Sequence, residues 1–469
     1  LDSYGKPESG ILLGNFKWLG EYDECLGVYA PPKANSSVGN FHGKYCTLEV
    51  PLKLQNMTLP LSTALCLPDS CNPDGTFLGD IMQKFNLSEA DEETESVFGN
   101  VTLTCKPTSR KLTTGAIVTM CFLSIIVLLV ATGSSITAFE YCIKENVSKE
   151  TLYAVNTTGK SLIDADRENG IRGTSDDVYL SGTKNKITLP AWLEKCKTFF
   201  NCFCIFTNGE KLLNVSSSEG QLPCLHGIRF LTMAWVILCH TYLEAFATSM
   251  RNPLEAKDMV DHWTFQIIIN GFLSVDSFFL LRATDFFDLI YHKPYNRIGP
   301  YLIGILLAYY FYKRKQNNAP KLKLAFLAAG WIIAASIALA CQFSLFHENF
   351  SRVETSFYNA LSRSGFACGV AWVIFVCVTG QGGVVNSVLS WKVWIPFSRL
   401  TYCAYLLHPI IHNAFFVSVR RLMEFSHTNV ILLYLGFLII SYAVALLTSL
   451  LFESPVIRLE RHLRNKAAS

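Results

Sequence analysis

The chain has 469 residues, half of them hydrophobic, with positive mean hydropathy and a net charge of +3. That composition excludes an ordinary soluble globule, and the near-neutral charge gives no footprint for a nucleic-acid partner. Long uncharged runs carry the excess hydrophobicity, which points to a polytopic membrane protein embedded in a lipid bilayer.

The first 112 residues are polar and rich in turn formers. Cys25, Cys46, Cys66, Cys71 and Cys105 all lie here, with the N-glycosylation sequons at Asn35, Asn56, Asn86 and Asn100. Cysteines and sequons together read as a small disulfide-bonded, glycosylated domain on the extracellular or lumenal side. Five is odd, so one partner is expected upstream of Leu1, and the chain reads as a fragment or a mature form. Sequons also arise by chance: Asn146, Asn156 and Asn214 match in a stretch read as cytoplasmic. Within the domain, Glu95–Cys105 alternates like an edge strand, and Asp74–Asn86 reads as a short Asp-capped helix.

Residues 115–139 are uncharged and long enough to span. Residues 140–222 are mixed in charge and rich in Ser, Gly and Asn, which reads as a flexible cytoplasmic loop with apolar clusters at its end. A membrane domain over 223–455 follows, with candidate spans at about 228–249, 263–283, 298–312, 323–345, 357–380, 397–418 and 429–452. The tail, 456–469, is basic. So is the loop holding Lys313, Arg314, Lys315, Lys321 and Lys323, and the positive-inside rule makes both cytoplasmic. Counted from an external N-terminal domain, these spans put both basic segments on the wrong side. Either 263–283 does not cross normally, or helices are missing near it.

Arg229 and His240 stand out inside an apolar segment, where ionisable residues are expensive and usually functional. Eleven residues apart, they lie almost three whole turns and about 16 Å apart on one helix face. An arginine holds phosphate through its planar fork, and a neutral histidine takes a proton from a hydroxyl. Spacing alone equally fits an arginine that snorkels to the interface and a histidine that bonds between helices.

The stretch "CLHGIRFLTMAWVILCHTY" resembles the Arg–ten residues–His signature of the acyltransferase 3 family, in the form of its animal nose resistant to fluoxetine-like branch. "SGILLGNFKWLGEYDECLGV", "SVDSFFLL", "KPYNRIGPYLIGILLAYY", "SRLTYCAYLLHP" and "FESPVIRLE" extend the resemblance along nearly the whole chain. It implies an acyltransferase moving an acyl group, from acyl-CoA as donor, to a hydroxyl of a lipid or other acceptor, without bound metal or cofactor. On that carry-over His240 is the catalytic base, and Arg229 is a phosphate anchor or a structural partner. Glu244 orients His240 or marks the membrane exit. Asp276 is a pocket residue or an interhelical partner. His408, within "LLHP", pairs with the site, and Arg399 binds phosphate or anchors at the interface. His408 and His412 share a face as metal ligands do, yet no third ligand is evident. The family-like text breaks between Leu281 and Lys293, where a block of helices is absent. A non-enzymatic carrier of lipids or other hydrophobic molecules, or an inactive shortened product, are the alternatives.

Overall fold

In the computed structural model, residues 2–32, 40–54, 57–71, 102–106, 112–168, 197–216, 222–273, 298–317, 320–344 and 351–468 are described. The four sequons, the 74–86 helix, Asp276 and the 281–293 break lie outside them. The chain divides into two compact units, residues 1–111 with 217–443, and residues 112–216 with 444–469.

The first unit opens with a small sheet. β1 (Lys17–Trp18), β4 (Met57–Pro68), β3 (Phe41–Leu54) and β2 (Tyr29–Ala30) lie in that order. β3 and β4 form a long antiparallel ladder, and β5 (Thr102–Cys105) pairs with β3 so that Cys46 faces Cys105. β5 is the described end of the expected edge strand. Helix α1 (Tyr22–Gly27) packs on this ladder through Cys25, Tyr45 and Ala64. Disulfides join Cys25 to Cys66 and Cys46 to Cys105, while Cys71 is half-exposed and unpaired. The expectation that five cysteines would be mostly bridged therefore holds for four. Closing chain loops of 41 and 59 residues removes unfolded-state entropy worth roughly 4 kcal/mol each.

The membrane part of this unit contains α4 (Cys224–Glu244), α5 (Pro253–Val260), α6 (Ile298–Gln316), α7 (Leu324–Phe343), α8 (Arg352–Val378), α9 (Gly383–Leu389), α10 (Trp394–Ser418) and the start of α11 (His427–Thr448). α4 and α10 pack in parallel: His226 meets Ser398 near both starts, and Thr241 meets His412 further along both. Close approach at the start of α4 requires Gly227, because a Cβ there would fall 2.4 Å from the Leu389 carbonyl oxygen.

The second unit holds α2 (Thr114–Glu168), α3 (Ile205–Leu213) and α12 (Ser454–Ala468). The expected loop over 140–222 is corrected here, because α2 runs on as helix to Glu168. That extension has no proline, and its Glu, Lys, Leu and Ala carry the helix through the weaker formers Asn156, Thr157, Thr158 and Gly159. Across the described residues five helices are long and apolar enough to cross a membrane, Thr114–Cys142, Cys224–Ser249, Leu324–Phe343, Ala360–Val378 and His427–Asn465.

The candidate span 263–283 is also corrected over its described part. Residues 263–273 form short turns, Trp263–Phe265, Gln266–Ile269 and Asn270–Leu273, rather than one helix. Polar amides explain this. The buried Asn270 donates to the Gln342 carbonyl, and the Gln342 side chain donates to the Gln266 carbonyl at 2.7 Å. These bonds pin irregular backbone against α7, and Trp235 of α4 donates to the Ile267 carbonyl. Such backbone is tolerated at membrane depth where it is buried in protein or lines a water-filled cavity.

This segment bears on the sidedness conflict. The Gln381 side chain bonds both backbone groups of Leu322, and α9 then leads to Gly227 at the start of α4. The end of the basic loop therefore lies with the start of α4. The N-terminal domain meets the other end, where Arg251 bonds Ser9 and Lys17 reaches the Ala247 and Thr248 carbonyls. The two segments therefore stand at opposite ends of this unit.

Candidate functional site

The seam between α4 and α10 carries the polar residues. Each helix has an arginine five residues beyond its first residue, Arg229 and Arg399. Parallel packing brings both to one cavity of about 490 Å³, lined also by Thr232, Ser398, Thr401, Tyr402 and Tyr405. Arg229 is exposed and Arg399 half-buried. His226 lies at the same end, its Nδ1 3.0 Å from the Ser398 hydroxyl.

Further along, Tyr405 lies 5.9 Å, ring to ring, from His408. His408 is 5.0 Å from His240 and 6.0 Å from His412, and His240 is 6.3 Å from His412. All three imidazoles are buried. They converge because α10 presents His408 and His412 one turn apart toward the face of α4 that holds His240. Nδ1 of His412 donates to the His408 carbonyl at 2.7 Å, so its Nε2 carries the lone pair and lies 3.0 Å from the Thr241 hydroxyl. His408 Nδ1 faces the Ala404 carbonyl at 3.2 Å, which leaves its Nε2 lone pair buried and, among the described residues, unpartnered.

The predicted pair is thus on one seam, and among the described residues the two side chains lie at different depths along it. Arg229 lines the arginine cavity, while His240 lies beyond it, past Tyr405 and His408. Glu244 is half-exposed one turn after His240, and among the described residues the ring neighbours of His240 are His408 and His412. Among the described residues no group of three His, Cys, Asp or Glu is disposed to hold a metal ion, and both nitrogens of His412 are engaged as described. Sequence reasoning left three contributors out of the site: Thr241, Tyr405 and the role of His412 beside His240. The i, i+4 spacing of His408 and His412 was the available signal. Pairing with α4 was not readable without the helix register. A second cleft of about 550 Å³, mostly apolar, is lined by Trp235, Ile303, Phe366, Val370 and Arg363 among others.

Residues 1–76 match the family profile described as "Nose resistant-to-fluoxetine protein, N-terminal domain". The chain is also similar to the protein named "Nose resistant to fluoxetine protein 6" of Caenorhabditis elegans, 30% identical over 193 residues, which are 39% of this chain and 24% of that protein. The chain therefore spans about a quarter of the length of the curated relative it matches. No solved structure matches the chain. These likenesses support the nose resistant to fluoxetine-like branch. The matched domain is the disulfide-bonded sheet that meets the ends of α4 and α10.

Proposed function

We propose that this chain is a membrane-bound acyltransferase that moves an acyl group from acyl-CoA to a hydroxyl of a lipid or other acceptor. The observation that carries the reading is the seam itself, an arginine pair at one end and three buried imidazoles further along. Arg229 and Arg399 bind the phosphates of the donor. His240 removes the acceptor's hydroxyl proton as that oxygen attacks the acyl carbonyl carbon. Collapse of the tetrahedral adduct breaks the carbon–sulfur bond, and the thiolate regains a proton from the imidazolium. His408 holds the His240 ring in place. Asp276 and Glu244 belong to the same pocket on this reading, and the N-terminal domain is glycosylated and faces the lumen or the outside.

Thiol release from acyl-CoA by the purified chain in nanodiscs, with and without lipid acceptors, tests the reading. His240→Ala should lower kcat and leave KM for the donor nearly unchanged. Retained kcat in that variant would remove the general-base role. A second reading, a carrier of hydrophobic molecules, is favoured by the apolar cleft beside Trp235. Transport that survives His240→Ala, with no thiol released by the parent chain, would select it.

A further inference from the structure

Helices α6 and α8 run parallel and touch at both ends of a gap. Near their starts Gly299 meets Ser364, where an added Cβ would overlap the serine hydroxyl. Towards their ends the rings of Phe311 and Phe375 stack with centroids 6.0 Å apart. Between these contacts the helices splay. A Cβ added at Gly304 would meet no neighbour within 4 Å among the described residues. Helix α4 lines the third side of the gap, which is the apolar cleft of about 550 Å³. Trp235 forms a fixed wall there, bonded to the Ile267 carbonyl at 2.9 Å with its ring 6.1 Å from that of Phe366. Ala367 and Ala371, one turn apart on α8, keep the slot wide.

One charge enters this lining. Among the described residues Arg363 is the only charged side chain in the cleft, and it is half-buried. It lies in the first turn of the span Ala360–Val378. That end is the one away from the basic loop, which Gln381 ties to the end of α8. The far end of the cleft, at Val373, Ile374 and Leu389, is apolar. Arg363 and Ile374 are about 16 Å apart along the helix axis. The slot therefore has a cation near one membrane boundary and apolar walls that run inward from it. An arginine within a span is costly and by default marks a site.

We propose that this cleft binds one long-chain fatty acid, with its carboxylate on Arg363 and its chain laid along Gly304, Ala367 and Ala371 towards Leu389. A guanidinium fork matches a carboxylate with two parallel hydrogen bonds. Charge complementarity thus selects an acidic amphiphile over a neutral one. Size selects a single chain: about 550 Å³ lies within the roughly 300–1,000 Å³ of small-ligand pockets, and a phospholipid needs room for a second chain and its glycerol. The cleft shares Ile228 and Thr232 with the arginine cavity, so the bound chain lies against the seam. The proposal stands apart from both readings above, because binding is measured without turnover or transport.

A palmitate analogue with a diazirine near its methyl end, offered to the full chain in phosphatidylcholine nanodiscs, tests this. Photolysis should label the apolar end of the cleft, at Leu307, Val373, Ile374 or Leu389. Unlabelled palmitate should displace the probe about tenfold better, or more, than methyl palmitate, which has the same chain and no carboxylate. Arg363→Gln should erase that preference, and Arg363→Lys should restore part of it. Gly304→Leu should fill the slot and suppress labelling, with a melting temperature close to that of the parent because its side chain enters open space. The ester comparison uses the parent chain and so decides the matter without any variant. Three results would overturn the proposal: equal displacement by the ester, labelling that persists in folded Gly304→Leu, or suppression by phosphatidylglycerol in the discs as strong as by palmitate, which would assign the cleft to a phospholipid.

Discussion

His412 donates from Nδ1 to a carbonyl a turn earlier, and its Nε2 lies 3.0 Å from the hydroxyl of Thr241 on the facing helix, which also donates to the Ile237 carbonyl at 2.7 Å. Thr241→Val keeps the shape but removes the hydroxyl that both buried groups contact. A cost of about 1–3 kcal/mol is expected, read as a lowered melting temperature in detergent. His408→Gln should act differently. It should lower kcat by reorienting His240 while leaving donor KM and the melting temperature close to those of the parent. A loss of stability equal to that of Thr241→Val, with kcat retained, would make His408 a packing residue only. For His240→Ala the expected loss in kcat is on the order of 10²–10⁴, measured as thiol release. At this scale the sequence was partly legible. Arg229 and His240 were visible because charge and imidazole are conspicuous in an apolar run. The resemblance already paired His408 with the site and gave Arg399 to phosphate or the interface, but the contact of α4 with α10 that sets them beside His240 and Arg229 was not legible, because it depends on two helix registers and their relative direction.

Elements were legible where hydrophobicity alone decides them. Residues 115–139, 323–345 and 429–452 were read as spans, and the helices Thr114–Cys142, Leu324–Phe343 and His427–Asn465 answer to them. The segment 263–283 reads as apolar because Asn270 and Gln266 are few, yet over its described part, 263–273, Asn270 donates to the Gln342 carbonyl and the Gln342 side chain to the Gln266 carbonyl, and the backbone forms turns, in line with the alternative that this span does not cross normally. The helical extension of α2 to Glu168 was missed for the opposite reason: its polar composition, with Asn156-Thr-Thr-Gly159, was taken as loop, although a helix once nucleated continues where no proline stops it. The contact of α4 with α9 offers a direct test. Gly227→Ala must displace the Leu389 carbonyl, and overpacking of this kind costs typically 1–3 kcal/mol. Thermal unfolding should report that loss. An unchanged transition would mean that the two helices can separate freely at this point.

At the scale of the first unit, the disulfide-bonded sheet is joined to the helix ends by polar contacts of unequal worth. Arg420 lies 3.9 Å over the Tyr22 ring and 3.7 Å from Asp23, while the exposed Arg421 pairs with Glu21 at 3.1 Å. An exposed ion pair contributes under about 1 kcal/mol, whereas a cation over an aromatic face contributes roughly 0.5–2 kcal/mol. Arg420→Ala should therefore raise hydrogen exchange in residues 17–30 more than Arg421→Ala does. Equal effects would assign the docking to charge alone. Burial depresses the Lys17 ammonium below its usual range, which records the cost of holding it against the carbonyls that close α4.

The parallel course of α4 and α10 has an electrical consequence. In an antiparallel pair the peptide dipoles of two helices oppose one another, but here they add, each end carrying roughly half an elementary charge per helix. The arginine cavity thus sits where two positive poles coincide with two guanidinium groups, and Lys17 and Arg420 cluster about the negative poles. The field runs along the seam, and an anion is drawn to the end that holds Arg229 and Arg399.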